Sequence, residues 1–322
     1  MCIRDRICIG NALVDSLTQI EESKINELNL NKARMTLVDK DRSNFLLQNM
    51  KNPIYEAGGS AANTAYWISQ LGGNVGFIGK ISNDDLGKKF QTSLKDSGLN
   101  DFTIYESEDN QTGLCAIFIT PDGERTMNTY LGAGEYLSTK DLNQNAITDA
   151  KILYMEGYLW DKTSSKEAFL YAAKLNKESG GLNAISLSDV FCVDMHIESF
   201  IDFIKSDIDF VFCNEDELNA LFEKNITTES ILHFQESFPN IKQLICTLGS
   251  EGVLILDEGK QHDFNATEAN VVDKTGAGDF FAGGYLFGLQ KGLTLTESAE
   301  IANKSAAHVI SEIGVRPKNK FN

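Results

Sequence analysis

Proline is scarce in this chain, 4 in 322 residues, and nowhere does it gather with glycine or serine into a linker. Nothing therefore divides the polypeptide into separate domains, and 322 residues with 42% hydrophobic content suffice for one large core. Histidine is equally thin, 4 residues without zinc spacing, and the six cysteines (Cys2, Cys8, Cys115, Cys192, Cys213, Cys246) form no CxxC pair. Most of these cysteines sit in apolar runs, which reads as buried free thiols in a reducing cytoplasm rather than as a catalytic thiol. No apolar stretch approaches the roughly 20 residues that span a bilayer, and the N-terminus lacks the three-part form of a secretion signal. Basic residues are also short: 29 Lys and Arg against 46 Asp and Glu give a formal charge of -17. Such a surface repels nucleic-acid phosphates and anionic lipid, so neither is expected as a partner. A small polyanion such as ATP is still compatible where backbone donors and Mg²⁺ counter the field.

Short apolar runs alternate with helix-period segments over most of the chain. Residues 75–81, 152–158, 184–187, 210–213 and 244–247 read as strands; 165–177 and 195–205 read as helices, and Asp84-Asp85 as a helix start. Strands apolar throughout and separated by helices imply a mostly parallel sheet covered on both faces, the doubly wound α/β class. Two regions break the rhythm. Residues 112–120 alternate like a half-exposed strand, and Pro121-Asp122-Gly123 turns it back into 125–130, a hairpin. Residues 33–39 add a further candidate strand. These segments suggest a small β-sheet set apart as a lid. The first six residues, Met1 to Arg6, carry alternating charges just before an apolar strand starting at Ile7, and are expected to be a non-native leader outside the fold.

The strongest chemical signal is Val271-Val-Asp-Lys-Thr-Gly-Ala-Gly-Asp279, running into a helical segment from Phe280. An apolar segment that ends in a glycine turn before a helix leaves the amides of Gly276, Ala277 and Gly278 pointing at one spot, where an anion binds. Asp279 beside them can take the proton of an attacking hydroxyl while the amides hold a transferring phosphoryl group. An Asp-capped helix after a glycine turn would show the same local pattern. A second signal is Gly58-Gly59-Ser60-Ala-Ala-Asn63 before the helical run 64–71, where glycines admit a ligand to the backbone and Ser60 and Asn63 offer directional hydrogen bonds. The third is Gly10-Asn11-Ala-Leu-Val-Asp15, at the carboxyl end of the first strand, where ligands of parallel sheets bind and where a carboxylate could take a vicinal diol. Asn214 and Glu217, three apart, would share a helix face. Gly79-Lys80 is no Walker loop, since Asn74 stands at its first glycine and Ile81 at its Mg²⁺-binding hydroxyl.

Both glycine signatures, in this order and at this separation, resemble the PfkB or ribokinase family of carbohydrate and nucleoside kinases over 7–317. Within it, the Gly10–Asp15 start, the hairpin Thr120-Pro-Asp-Gly-Glu-Arg-Thr-Met-Asn128 and Met155-Glu-Gly-Tyr-Leu-Trp160 are most similar to the bacterial adenosine kinases. The resemblance implies a ribokinase-like three-layer α/β/α sandwich with a mostly parallel central sheet and a small β-sheet lid, built from segments near 16–40 and 101–131. It further implies Mg-ATP as donor and transfer to a ribose 5′-hydroxyl, most simply adenosine to AMP, with a sugar such as ribose as the alternative acceptor. By it Asp279 is the base and Gly276, Ala277 and Gly278 are the anion hole, while Asn11, Asp15, Gly59, Ser60 and Asn63 hold the acceptor. Asn214 and Glu217 match the NxxE motif that organises Mg²⁺ through water; Thr247, Gly249 and Gly252 match the ATP-binding turn. Asn303 would border the adenine of ATP, and Arg125 would steady the γ-phosphate on lid closure. Lys274 stands where the family has a small residue, so its role is open. A monomer or homodimer is expected.

Overall fold

The apolar runs assemble into one sheet because each is buried on both faces. In the computed structural model, which describes residues 6–106, 110–222, 234 and 236–321, nine strands lie side by side. Their order is Lys260–Phe264, Val253–Asp257, Gln243–Thr247, Phe210–Asn214, Leu182–Ser186, Ile152–Glu156, Arg6–Ile9, Val75–Ile78 and Asn100–Asp101. Val253–Asp257 runs against both its neighbours; the other pairings are parallel. Alternate residues of a strand point to opposite faces and so enter opposite cores. Ile7, Ile9, Leu153, Met155 and Leu244 pack with the helices Thr163–Glu178 and Val190–Asp207. Cys8, Ile152, Tyr154 and Ile245 pack with Ser60–Gln70, Ala277–Lys291 and Leu295–Val309 on the other side. The three-layer sandwich follows from that alternation.

Several elements depart from the sequence expectations. Arg6, expected to lie outside the fold, is the first residue of its strand: it is 2% exposed, and its guanidinium donates to the Leu286 carbonyl at 3.3 Å. Residues 1–5, Cys2 among them, lie outside the described residues. The strand expected over 75–81 breaks at Gly79, where a Cβ would come within 2.7 Å of Phe77 and 2.9 Å of the Gly10 carbonyl. Lys80–Ile81 then leaves the sheet to pair with Ile104–Tyr105. The helix expected over 195–205 is the later part of Val190–Asp207, which is interrupted at His196 (φ -133°, ψ 19°). Cys8, Cys115, Cys192, Cys213 and Cys246 are free and buried. Among the described residues no helix is long and apolar enough to cross a membrane.

The lid is a five-stranded sheet in the order Met35–Leu37, Arg125–Tyr130, Gly113–Ile119, Leu13–Gln19, Ile54–Gly58. Its hairpin pairs Arg125 with Ile119 and Tyr130 with Leu114. The strand Ile54–Gly58 belongs to it, beyond the segments expected, whereas Asn100–Asp101 and Ile104–Tyr105 go elsewhere. The strand read as half-exposed is covered on both sides. Ala116 and Phe118 pack on Ile25, Leu28 and Leu46, while Cys115 and Ile117 pack on Leu17 and Met127. Its alternation separates two apolar environments, not core from solvent.

The position of the first strand sets the site. Val75–Ile78 lies on one side of Arg6–Ile9 and Ile152–Glu156 on the other, so the winding reverses there and opens a crevice at the carboxyl ends. Asn11 and Glu156 leave those two ends, and the lid sheet stands over them.

Candidate active site

A cavity of about 580 Å³ fills this crevice. Its wall brings together Asn11, Asp15, Gly59, Ser60, Asn214, Glu217, Thr247 and the run Lys274–Asp279. Residues from five separate parts of the chain thus converge, as the motifs suggested.

The helix Ala277–Lys291 begins at Gly276, which holds a left-handed conformation (φ 77°) and gives no side-chain cap. Among the described residues no acceptor meets the amides of Gly276, Gly278 and Asp279, and a Cβ on Gly278 would meet open space. Those free donors, backed by the dipole of a 15-residue helix, face the cavity. The Ala277 amide, expected to join them, instead donates to the Lys274 carbonyl at 3.3 Å and closes the turn. The preceding Val271 and Val272 form no strand; they are exposed and the amide of Val272 donates to the Ile310 carbonyl. The loop is shaped by Asp273, whose carboxylate accepts from the amides of Thr275 (3.0 Å) and Gly314 (2.8 Å). Arg125 is bound there too, its guanidinium 2.5 Å from the Asp273 carboxylate, and it does not line the cavity. Here its charge is met by a buried acid, and the expected contact with a phosphate belongs to a closed lid.

Asp279, in the first turn of that helix, is clamped from across the crevice. Its Oδ1 accepts from Ser60 Oγ at 2.7 Å and its Oδ2 from Asn63 Nδ2 at 2.9 Å, while its carbonyl accepts from Thr64 Oγ1 at 3.2 Å. Burial raises its carboxyl above the ordinary aspartate range; the hydrogen bonds from Ser60 and Asn63 and the charge of Arg316 oppose the rise. Asn63 is 4% exposed and outside the cavity wall, so it and Ser60 orient the carboxylate, a task the sequence motif did not reveal. Gly59 has φ 98°, and a Cβ there would lie 2.1 Å from the Asn11 carbonyl oxygen; glycine is what lets the two turns touch.

At the end of the first strand, Asn11 donates to Glu156 Oε1 from both its amide and its Nδ2, each at 2.8 Å. Its Oδ1 is buried without a partner among the described residues. Glu156 is fully buried and also accepts from the Ala61 amide at 2.6 Å, and burial pushes its carboxyl up to about 7. Sequence reading assigned Glu156 no role, although an acid ending the apolar run Ile152-Leu-Tyr-Met-Glu156 at a strand's carboxyl end was a usable signal. Asp15 lies in the lid strand opposite Glu56 rather than in a loop after the first strand. It is 8% exposed and pushed up to about 7, chiefly by burial.

On the opposite side Asn214 ends a strand and caps the helix Glu215–Phe222. Its Oδ1 accepts from the Glu217 amide at 2.8 Å, and Glu217 returns the bond by accepting from the Asn214 amide (3.1 Å) and Nδ2 (2.7 Å). A reciprocal cap, not a shared helix face, joins the pair. Burial raises Glu217 to about 7. Thr247 and Lys274 line the cavity here. Gly249 (φ 58°) and Gly252 (φ 107°) shape the turn beyond and do not line it. Asn303 is 7% exposed, donates to the Asn265 carbonyl at 3.1 Å and also stands outside the cavity wall.

A family model described as pfkB family carbohydrate kinase matches residues 23–321. The chain belongs to that family. The structure of adenosine kinase from Sinorhizobium meliloti is 34% identical and superposes with a TM-score of 0.90, covering 99% of this chain and 98% of that one. That of a probable sugar kinase from Rhizobium etli CFN 42 is 34% identical with a TM-score of 0.92, covering 100% and 97%. The aminoimidazole riboside kinase of Salmonella typhimurium is 27% identical over 284 residues, 80% of this chain and 82% of its own. A PfkB kinase uses ATP, so the chain is a kinase, and its relatives differ in acceptor.

Proposed function

We propose that this kinase transfers the γ-phosphoryl of ATP to the 5′-hydroxyl of a ribonucleoside, with adenosine as acceptor and AMP as product, serving purine salvage in the cytoplasm. The observation that carries the reading is the clamp on Asp279: Ser60 and Asn63 hold its carboxylate at the start of the very helix whose free amides face the cavity. An acid held there does proton chemistry. As the acceptor oxygen attacks the γ-phosphorus, Asp279 takes its proton, the bond to the β-phosphate oxygen breaks, and ADP leaves. The Gly276 and Gly278 amides hold the charge on the migrating group.

Mg²⁺, when bound, neutralises charge on the donor phosphates. The residues fit such an ion only indirectly. Among the described residues no group of three or more His, Cys, Asp or Glu could cage a metal, and Asn214 already occupies both Glu217 oxygens. Glu217 would act through water, as Mg²⁺ commonly allows.

A nucleoside is favoured over a free sugar by the apolar part of the cavity wall. Leu13, Met35, Leu37, Met127 and Phe191 line the cavity along with Asn11 and Asp15, and a planar base can bury against apolar side chains where a free sugar offers them little. Similarity to the Rhizobium etli protein keeps a sugar as the second reading. An ADP-release assay across nucleosides and free sugars tests both: a kcat/KM higher for adenosine than for any sugar is expected, and turnover of a sugar alone refutes the nucleoside.

A further inference from the structure

Arg316 has no part in the motifs, yet it returns to the site from beyond the helix Leu295–Val309. Its Nη1 donates to Asn63 Oδ1 at 2.9 Å and to the Val315 carbonyl at 2.6 Å, and its guanidinium stands 4.1 Å over the Tyr66 ring. Asn63 in turn donates to Asp279 Oδ2. A guanidinium only donates, and a carboxylate only accepts. Between them the carboxamide of Asn63 has one satisfactory orientation, oxygen toward Arg316 and nitrogen toward Asp279. Were the amide turned over, its oxygen would face the carboxylate and its nitrogen the guanidinium, two repulsive contacts in a buried place.

We propose that Arg316 is a positioning residue for phosphotransfer, fixing the Asn63 amide so that its nitrogen holds the Asp279 carboxylate. This rests on the reading of Asp279 as the base and deepens it. The other groups around Asp279 sharpen the need. Asp15 faces it from the lid and Glu156 from the sheet, both acids, while Lys274 lines the cavity from the loop and Ser60 adds the second hydrogen bond. Arg316 is the cation whose charge opposes the rise that burial imposes on Asp279.

The test compares Arg316→Met, Arg316→Lys, Asn63→Ala and the double variant Asn63→Ala/Arg316→Met. Expected for the methionine variant is a loss of kcat of about 10²-fold from a misplaced reacting group, with the KM for ATP unchanged. The acid limb of the pH–kcat profile should move upward by about one pH unit as a neighbouring cation is lost. The lysine variant keeps a cationic donor and should regain most of the turnover. In the Asn63→Ala background, Arg316→Met should add little. Native kcat in the methionine variant, a rise confined to the acceptor KM, or losses that multiply in the double variant would each overturn the proposal. If the methionine protein does not fold, the lysine variant decides together with Asn63→Ala: poor turnover in folded Arg316→Lys refutes the role, and retained turnover beside a slow Asn63→Ala supports it. Carboxyl ¹³C titration of Asp279, assigned with Asp279→Asn, reads the same upward move without any acceptor. A wrong acceptor therefore leaves this test standing.

Discussion

The Arg125 guanidinium lies 2.5 Å from the Asp273 carboxylate, with both side chains almost wholly out of solvent (7% and 4% exposed). One residue is on the lid hairpin and the other opens the anion loop, so this pair ties the two sheets' functional parts together. Removing one partner of a buried pair strands the other charge. Arg125→Met should lower unfolding stability by about 3–5 kcal/mol, measured by urea denaturation, and Arg125→Lys by less. A methionine variant of native stability with a raised KM for ATP would return Arg125 to the phosphate.

Asp279→Asn keeps the shape of the clamp and removes the base. Turnover should fall by about 10²–10⁴-fold, the usual contribution of a general base, with ATP affinity little changed in a binding titration. Because burial raises the Asp279 carboxyl, the wild-type kcat should decline on the acid side as this group protonates. Near-native turnover in the asparagine variant would remove Asp279 from the chemistry.

Asp15 carries a pH signature in stability as well as its proposed role at the acceptor. Burial first, then Glu56 and Asp279, push its carboxyl up to about 7 from 3.8, against the pull of Arg316 and Arg125. Between those values the folded protein holds a proton that the unfolded chain has released. Stability must then fall as pH rises through that window, from roughly pH 4 to pH 7. Asp15→Asn should flatten this slope in a urea series, and should raise the KM for the acceptor while leaving that for ATP alone. An unchanged slope would mean that Asp15 is ionised throughout.

What the sequence conveyed and what it hid divide along physical lines. Runs such as Phe210–Asn214 and Gln243–Thr247 read correctly because burial on both faces makes their central residues apolar without alternation. The glycine turn and the helix start before Asp279 were legible because they are adjacent in the chain. Arg316 and Asn63 lie 253 residues apart and Ser60 and Asp279 lie 219 apart, and no local pattern encodes such a meeting. The burial of Arg6 and Arg125 is hidden for a related reason. A charged side chain reads as exposed, and here the Leu286 carbonyl and Asp273, both remote in sequence, make burial tolerable.

Gly59 offers the sharpest geometric test, because a second glycine serves as its control. Both Gly59 (φ 98°) and Gly123 (φ 83°) hold conformations that disfavour a side chain, and either Gly→Ala change carries a conformational penalty of about 1–2 kcal/mol. They differ in what a methyl group would meet. At Gly123, in the lid turn, it meets nothing within 4 Å; at Gly59 it meets the Asn11 carbonyl oxygen at 2.1 Å, a backbone atom that cannot swing aside. Gly59→Ala must therefore displace Asn11, which holds Glu156 through two hydrogen bonds. Gly123→Ala should lose only stability and keep its kinetics. Gly59→Ala should lose more stability and raise the acceptor KM more than that for ATP, in steady-state assays on the folded protein. Equal effects from the two substitutions would show that the crevice tolerates movement of Asn11, and that the acceptor corner is not built on this contact.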